Sequence, residues 1–341
     1  MIDLVVAGGG PAGLATAIHA ARAGLRTVVV EKRPGPIDKA CGEGLMPHAV
    51  RHLEMLGANP AGVPFRGVSY FDSRRSVTAA FSCGDGLGVR RTTLHSALLD
   101  EAAATGVEMV HDRVVSVTQD VDSVTARGDR AVLRGRYLAA ADGLHSPIRS
   151  GLHLDGPVGR TRRWGLKRHV AVAPWSEFVE VYWSAHTEAY ITPVAGDCVG
   201  IAILTSRRGG FEQQLAAFPA LRERIDGQSH QPDRAAGPLR QRARRRVAGR
   251  VLLVGDAAGY VDALTGEGVG LAFAAAQLLV DSILVDRPQD YERRWRRATR
   301  RYRLLTAGML HIGTSPLRSL VVPAASGFPR LFTGAVNLLA E

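Results

Sequence analysis

Gly8-Gly9-Gly10-Pro11-Ala12-Gly13 follows directly on the apolar run Ile2–Ala7 and opens an alanine-rich stretch that continues to about Ala23. The run fits G-x-G-x-x-G between a strand and a helix. A second apolar run, Thr27–Val30, ends on Glu31, followed by Lys32 and Arg33. Glycines at these positions allow a tight turn and let a pyrophosphate approach the backbone. The helix start aims N–H groups and its positive dipole end at the phosphates. Pro11 suits the first helical turn, where a missing N–H costs nothing. Glu31 stands where an acid accepts bonds from a ribose hydroxyl. This order predicts an α/β domain that holds a dinucleotide through Gly8, Gly10, Pro11, Ala12, Gly13 and Glu31, with Lys32 and Arg33 beside it.

A chain of 341 residues, 46% hydrophobic, can bury a large core in one large or two interleaved domains. No apolar run is long enough and uncharged enough to span a bilayer. Asp3 interrupts any leader-like start, so no signal peptide is expected. Cys41, Cys83 and Cys198 are widely spaced. They suggest neither a disulfide framework nor a metal cluster, and the expected location is a reducing cytoplasm. The net charge of +11 is concentrated in Arg240–Arg250 and Arg293–Arg303. The plain expectation is a solvated surface; the sharper one is a docking face for an acidic carrier protein or, peripherally, an anionic membrane. Neither run carries the interleaved aromatics of a nucleic-acid motif, so nucleic acid is not an expected partner.

Hydrophobic periodicity predicts helices over Pro47–Leu56, Thr92–Thr105 and Gly268–Val285. Short strands are expected at Gly67–Phe71, Val77–Phe81, Val107–Val110 and Arg113–Val117. A hairpin of Val121–Ala126 with Ala131–Arg134 is expected around Gly128-Asp129, then a separate strand, Tyr137–Ala141. Between Trp164 and Thr205 the pattern alternates, predicting Leu166–Val172, Val179–Trp183, Glu188–Thr192 and Val199–Leu204 in a mostly antiparallel sheet. Val251–Val254 returns as a buried strand. The remainder reads as helices separated by Pro316, Pro323 and Pro329. The expected division is a discontinuous nucleotide domain (residues 1–65, 90–160 and 246–290), a β-rich substrate domain (66–89 and 161–245) and C-terminal helices (291–341).

A second motif, Gly255-Asp256-Ala257-Ala258-Gly259, closes a strand and precedes Thr265-Gly266-Glu267-Gly268-Val269-Gly270. A strand-end carboxylate accepts bonds from sugar or ribityl hydroxyls. A glycine turn opening a helix at Gly266, Gly268 and Val269 offers N–H donors to the negative end of a reduced flavin. With Ala141-Asp142-Gly143 and with Arg91 of Arg91-Thr92-Thr93-Leu94-His95, the chain resembles the flavoprotein monooxygenase superfamily, of the para-hydroxybenzoate hydroxylase-like fold. The resemblance covers nearly the whole chain. It implies FAD held extended by Arg91, Asp142, Gly143, Gly255 and Asp256 as well as the first motif. It also implies a flavin between a Rossmann-like domain and an inserted antiparallel domain. NAD as the tight cofactor would account only for the first motif. Cys41-Gly42-Glu43-Gly44-Leu45 and Thr265–Gly268 are most similar to the geranylgeranyl reductase-type branch, whose Y-x-W-x-F-P signature is only echoed by Tyr190 and Pro193. Halogenase tryptophans are missing from Glu188–Pro193.

On the substrate side, Cys41 and Gly42 are expected beside the flavin. Cys41, Glu43, His169 and Tyr190 are the candidate catalytic groups. Trp164 and Trp183 are candidate walls of an apolar pocket, and His95 is expected to be structural. The expected activity is that of an FAD-dependent oxidoreductase reduced by a transiently bound NAD(P)H. Monooxygenation of an apolar or aromatic small molecule, through a flavin C4a-hydroperoxide, leads. Saturation of an alkene in an isoprenoid or polyketide is the alternative, and the substrate is either free or carrier-bound.

Overall fold

In the computed structural model, residues 1–157 and 162–341 are described. The strand Ile2–Ala7 lies between two parallel neighbours, Val132–Ala140 and Thr27–Glu31. Val251–Leu253 and Glu108–His111 extend this parallel sheet on either side. Strands covered on both faces read as continuous apolar runs. Leu4, Val5, Val6, Val28 and Val29 are accordingly all buried. The helix Pro11–Arg22 packs against Arg91–Ala104 and Gly268–Leu284. The last of these begins right after the second glycine motif, so both motifs open helices that touch one another.

A seven-stranded sheet forms the second layer system, in the order Arg234–Ala236, Trp164–Val170, Cys198–Thr205, Thr187–Ala195, Val179–Trp183, Gly67–Phe71, Ser76–Ala80. All its pairings are antiparallel except Val179–Trp183 with Gly67–Phe71. The two-residue period of a strand decides which core each side chain joins. Ile201 and Ile203 face Phe211, Leu215 and Leu221 from the small helices that follow. Leu204 falls on the other face with Tyr70, Val181 and Trp183, where the C-terminal Val322 closes the cluster.

Several expected elements change on folding. The two strands expected at Ala131–Arg134 and Tyr137–Ala141 are one strand, Val132–Ala140. Its first half pairs with the hairpin partner Val124–Gly128 and its second half with Ile2–Ala7. Gly135 bridges the halves, serving both ladders. Pro323 does not separate helices. It lies in the first turn of Val321–Gly327, where the missing N–H breaks no hydrogen bond. The arginine run sits inside one long helix, Pro288–Gly313.

Candidate functional site

A cavity of about 840 Å³ runs from the first glycine turn to the seven-stranded sheet. At one end Gly8 takes φ +110° and packs on the Ala141 carbonyl. A Cβ at Gly13 would collide with the Gly8 carbonyl oxygen, so only glycine lets helix and turn close. Glu31 Oε2 accepts the Gly9 N–H at 2.8 Å, and its Oε1 accepts from Arg33 N and Nε at 3.1 and 3.2 Å. Burial pushes this carboxyl up, but the bonds from Gly9 and Arg33 outweigh it and hold it below the usual range. His95, expected to be structural, is a latch. Its Nδ1 accepts from Ile37 N at 3.2 Å, which assigns the proton to Nε2 and aims it at the Gly9 carbonyl, 2.7 Å away.

The middle of the cavity offers polar groups that the protein leaves unanswered. Asp142 Oδ1 and Arg91 Nη1 are buried without a partner, although Asp142 Oδ2 accepts from Ile148 N at 3.0 Å. Both residues line the cavity, as do Gly10, Gly143, Gly255 and Asp256. Buried polar atoms are rarely left unpaired, so these atoms fit a bound molecule carrying hydroxyl and phosphate groups. Burial raises the Asp256 carboxyl, while the charges of Lys39, Arg91 and Arg149 pull it the other way. Burial likewise lowers the Lys39 ammonium. Lys39 also lines this space. No motif marks it, and only the folding of the long loop before Gly44 brings it beside Asp256. Gly266, with φ +71°, turns the chain into the helix that starts at Gly268. These residues fit FAD: the Gly8–Gly13 turn would take its phosphates and Asp256 would accept from its hydroxyls.

At the far end the walls are apolar, including Phe65, Val181, Leu204 and Leu239, with Val336 from the last helix. Cys41 opens onto this space, and its Sγ accepts the Glu43 N–H at 3.4 Å. Burial, then the nearby Glu43 charge, push the thiol up, so it stays protonated. Glu43 is 3% exposed. Its Oε1 accepts from Arg91 N and Lys167 Nζ, both at 2.6 Å, and its Oε2 lies 2.7 Å from His169 Nε2. Burial alone would raise its pKa, but the bonds from His169 and Lys167 prevail and hold it below the usual range. A carboxylate so engaged anchors its loop and gives up no proton. Lys167 and His169 reach it together because alternate residues of one strand share a face. Of the two, Lys167 lines the cavity and His169 does not, so the expected pocket-facing role passes to Lys167. Tyr190 lines the cavity and donates its hydroxyl to the Leu264 carbonyl at 3.1 Å, which steadies the loop before Gly266.

The two tryptophans expected to wall the pocket do not line this cavity. Trp183 is buried against Tyr70, with ring centroids 5.7 Å apart, and beneath the Arg318 guanidinium. Trp164 packs against Gly237. A cluster that no motif announced lies beneath Tyr190: Glu188, fully buried, pairs with both Arg163 and Arg318.

Glu267 stands at the end of the second glycine turn, with Oε1 buried and unpartnered. Burial raises its carboxyl to about 8. The folded protein therefore keeps a proton that the unfolded chain releases. Stability from this group is full below the ordinary glutamate range and is lost as pH rises toward 8. Glu267→Gln is expected to flatten that slope and to raise the melting temperature at pH 9 more than at pH 5. An equal change at both values would remove Glu267 as the cause.

A family model described as "FAD binding domain" matches residues 1–284, and the chain belongs to that family; FAD is its cofactor. The chain is 29% identical to a menaquinone reductase of Mycolicibacterium smegmatis, over 86% of this chain and 79% of that protein. It is 31% identical to a 3-(3-hydroxy-phenyl)propionate/3-hydroxycinnamic acid hydroxylase of Mycobacterium sp. (strain JLS), over 47% of this chain and 31% of that one. Among solved structures, a flavoprotein/dehydrogenase from Cytophaga hutchinsonii superposes with a TM-score of 0.86 at 18% identity, covering 99% of this chain and 92% of that one. The fold is that of the flavoprotein monooxygenases, and the protein is an FAD-dependent oxidoreductase.

Proposed function

We propose that this flavoprotein, reduced by NAD(P)H, saturates a carbon–carbon double bond of an apolar substrate held in the far end of the cavity. The observation that carries the reading is Cys41: a thiol kept protonated, opening onto an apolar cavity, on a loop anchored by a buried carboxylate. Saturation of an alkene takes a hydride at one carbon and a proton at the other. Reduced FAD supplies hydride, and Cys41 Sγ–H supplies the proton. Arg91, Asp142 and Asp256 hold the cofactor, while Glu43 and Lys167 position the Cys41 loop. What moves this reading ahead of monooxygenation is the Cys41 environment, together with the menaquinone reductase matched along most of its length.

Monooxygenation is the second reading, favoured by the apolar walls at the far end and by the hydroxylase relative. The two separate in one experiment. FAD-loaded protein, NADPH and menaquinone as probe are incubated without oxygen, and products are weighed by mass spectrometry. Gain of two hydrogens that persists after the quinone ring is re-oxidised in air, so that they sit on the side chain, supports double-bond reduction; a gain that re-oxidation reverses is ring reduction and overturns it. Turnover only in labelled dioxygen, with label in the product, replaces it by monooxygenation.

Cys41→Ser sharpens the test. Reduction of the flavin by NADPH is expected to stay near wild type, while its re-oxidation by an alkene substrate slows tenfold or more, general acids contributing about 10²–10⁴-fold. Unchanged re-oxidation would take the proton-donor role from Cys41.

A further inference from the structure

The two arginine-rich stretches of the sequence meet. Residues 240–246 are pinned by two antiparallel bridges, Gln241 to Tyr260 and Ala243 to Asp155, and they face the helix Pro288–Gly313 across a cleft of about 660 Å³. Seven arginines line it: Arg240, Arg242, Arg244 and Arg246 on one wall, Arg296, Arg300 and Arg303 on the other. The one acid in the lining is Asp256, at the inner end, where the Gly255-Asp256 turn and Gly268 form a wall shared with the cofactor cavity.

Here Glu292 takes Arg246 at 3.1 Å and Arg296 at 2.7 Å, and Arg244 donates to the Asp155 carbonyl at 2.8 Å. Among the described residues, no carboxylate lies within ion-pair distance of Arg240, Arg242, Arg300 or Arg303, and residues 158–161 contain none. Burial and then the neighbouring Arg242 lower both Arg240 and Arg303, and the more distant charges of Asp262 on the first and Glu292 on the second offset this only in part. Like charges gathered in a cleft repel unless an anion offsets them. The floor is apolar: Leu271, Ala275 and Ala307, with the exposed Leu304 at the mouth. The Trp295 ring is taken by Arg246 and Arg303, whose guanidinium carbons lie 4.0 and 5.3 Å from its centroid. Planar guanidinium forks on two walls match the geometry of phosphate oxygens.

We propose that this cleft binds a phosphate ester or diphosphate carried on an apolar body, at a site separate from the cofactor cavity. The volume lies within the usual range for small-molecule sites, about 300–1,000 Å³. The site does not depend on which reaction the flavin performs.

Titration calorimetry on the FAD-loaded protein tests it with three probes: inorganic pyrophosphate, dodecyl phosphate below its micellar concentration, and NADPH. Dodecyl phosphate is expected to bind at least tenfold more tightly than pyrophosphate, because only it covers the floor. Arg242→Gln and Arg303→Gln, one from each wall, are each expected to weaken it tenfold or more, with FAD content and melting temperature unchanged. Arg74→Gln, on an exposed turn elsewhere, should leave it alone. Competition by NADPH would assign the phosphate to a nucleotide, and lack of competition to a lipid-like ester. No measurable binding, indifference to both wall substitutions, or an equal loss in Arg74→Gln would overturn the site.

Discussion

Glu43→Ala is expected to destabilise the protein by about 3–5 kcal/mol, the usual cost of removing one partner from a buried ion pair. Lys167 is 2% exposed. Its remaining carboxylate neighbour would be Asp38, at 3.6 Å. The Arg91 N–H and His169 Nε2 would lose their acceptor in the same step. Against a total stability of about 5–15 kcal/mol, the loss is severe. The urea midpoint measures it. Charge is separated from packing by the double variant Glu43→Leu with Lys167→Met, which removes both ions and is expected to recover much of the loss. If the double variant is as unstable as the two single changes added together, the pair does not carry the effect. Glu43 has φ +61°, an unfavourable backbone for a residue with a side chain. The three bonds to its carboxylate hold that conformation, and with it the Cys41 loop. Weaker FAD retention in Glu43→Gln, with the fold intact, would follow from the same geometry.

The contrast between Glu31 and Glu43 shows what a sequence of this kind discloses. Glu31 ends an apolar strand and meets the Gly9 N–H through the local geometry of one βαβ unit, so spacing alone finds it. Asp142, Asp256 and Arg91 are legible for the same reason, each sitting at the end of a strand or the start of a helix. Glu43 lies between two glycines in a loop, and its side-chain partners, Lys167 and His169, come from a strand more than 120 residues on. Local periodicity says nothing about which distant side chain will meet it. Arg163, Glu188 and Arg318 are hidden in the same way, since each is an ordinary charged residue until the sheet and the C-terminal helices close over them. Lys39 has neither neighbourly spacing nor motif. The arginine runs were visible as charge, but only the fold turns two runs into two walls of one cleft.

Asp256→Ala is expected to lower FAD affinity by roughly tenfold to a hundredfold, the range of a lost hydrogen bond to a charged group at about 1.5–3 kcal/mol. The residue ends the strand Val251–Leu253 within a short turn, Gly255–Ala258, and aims into the cavity between Lys39 and Arg91. Glu31→Ala should cost less FAD. Its carboxylate is already engaged by Gly9 and Arg33, so a ribose takes only a share of its bonds, and water reaches that end through Arg33, whose side chain is 38% exposed. The two changes should also differ in kind. Glu31→Ala frees the Gly9 N–H and loosens the first turn, lowering the melting temperature of the FAD-free protein. Asp256→Ala removes a carboxyl that burial disfavours, and should leave that temperature level or raise it. Fluorescence titration of FAD into both apoproteins, with melting curves beside it, checks the pair. Equal FAD affinity in wild type and Asp256→Ala would remove Asp256 from the cofactor's contacts. A greater FAD loss in Glu31→Ala would move the dominant anchor to the adenosine end.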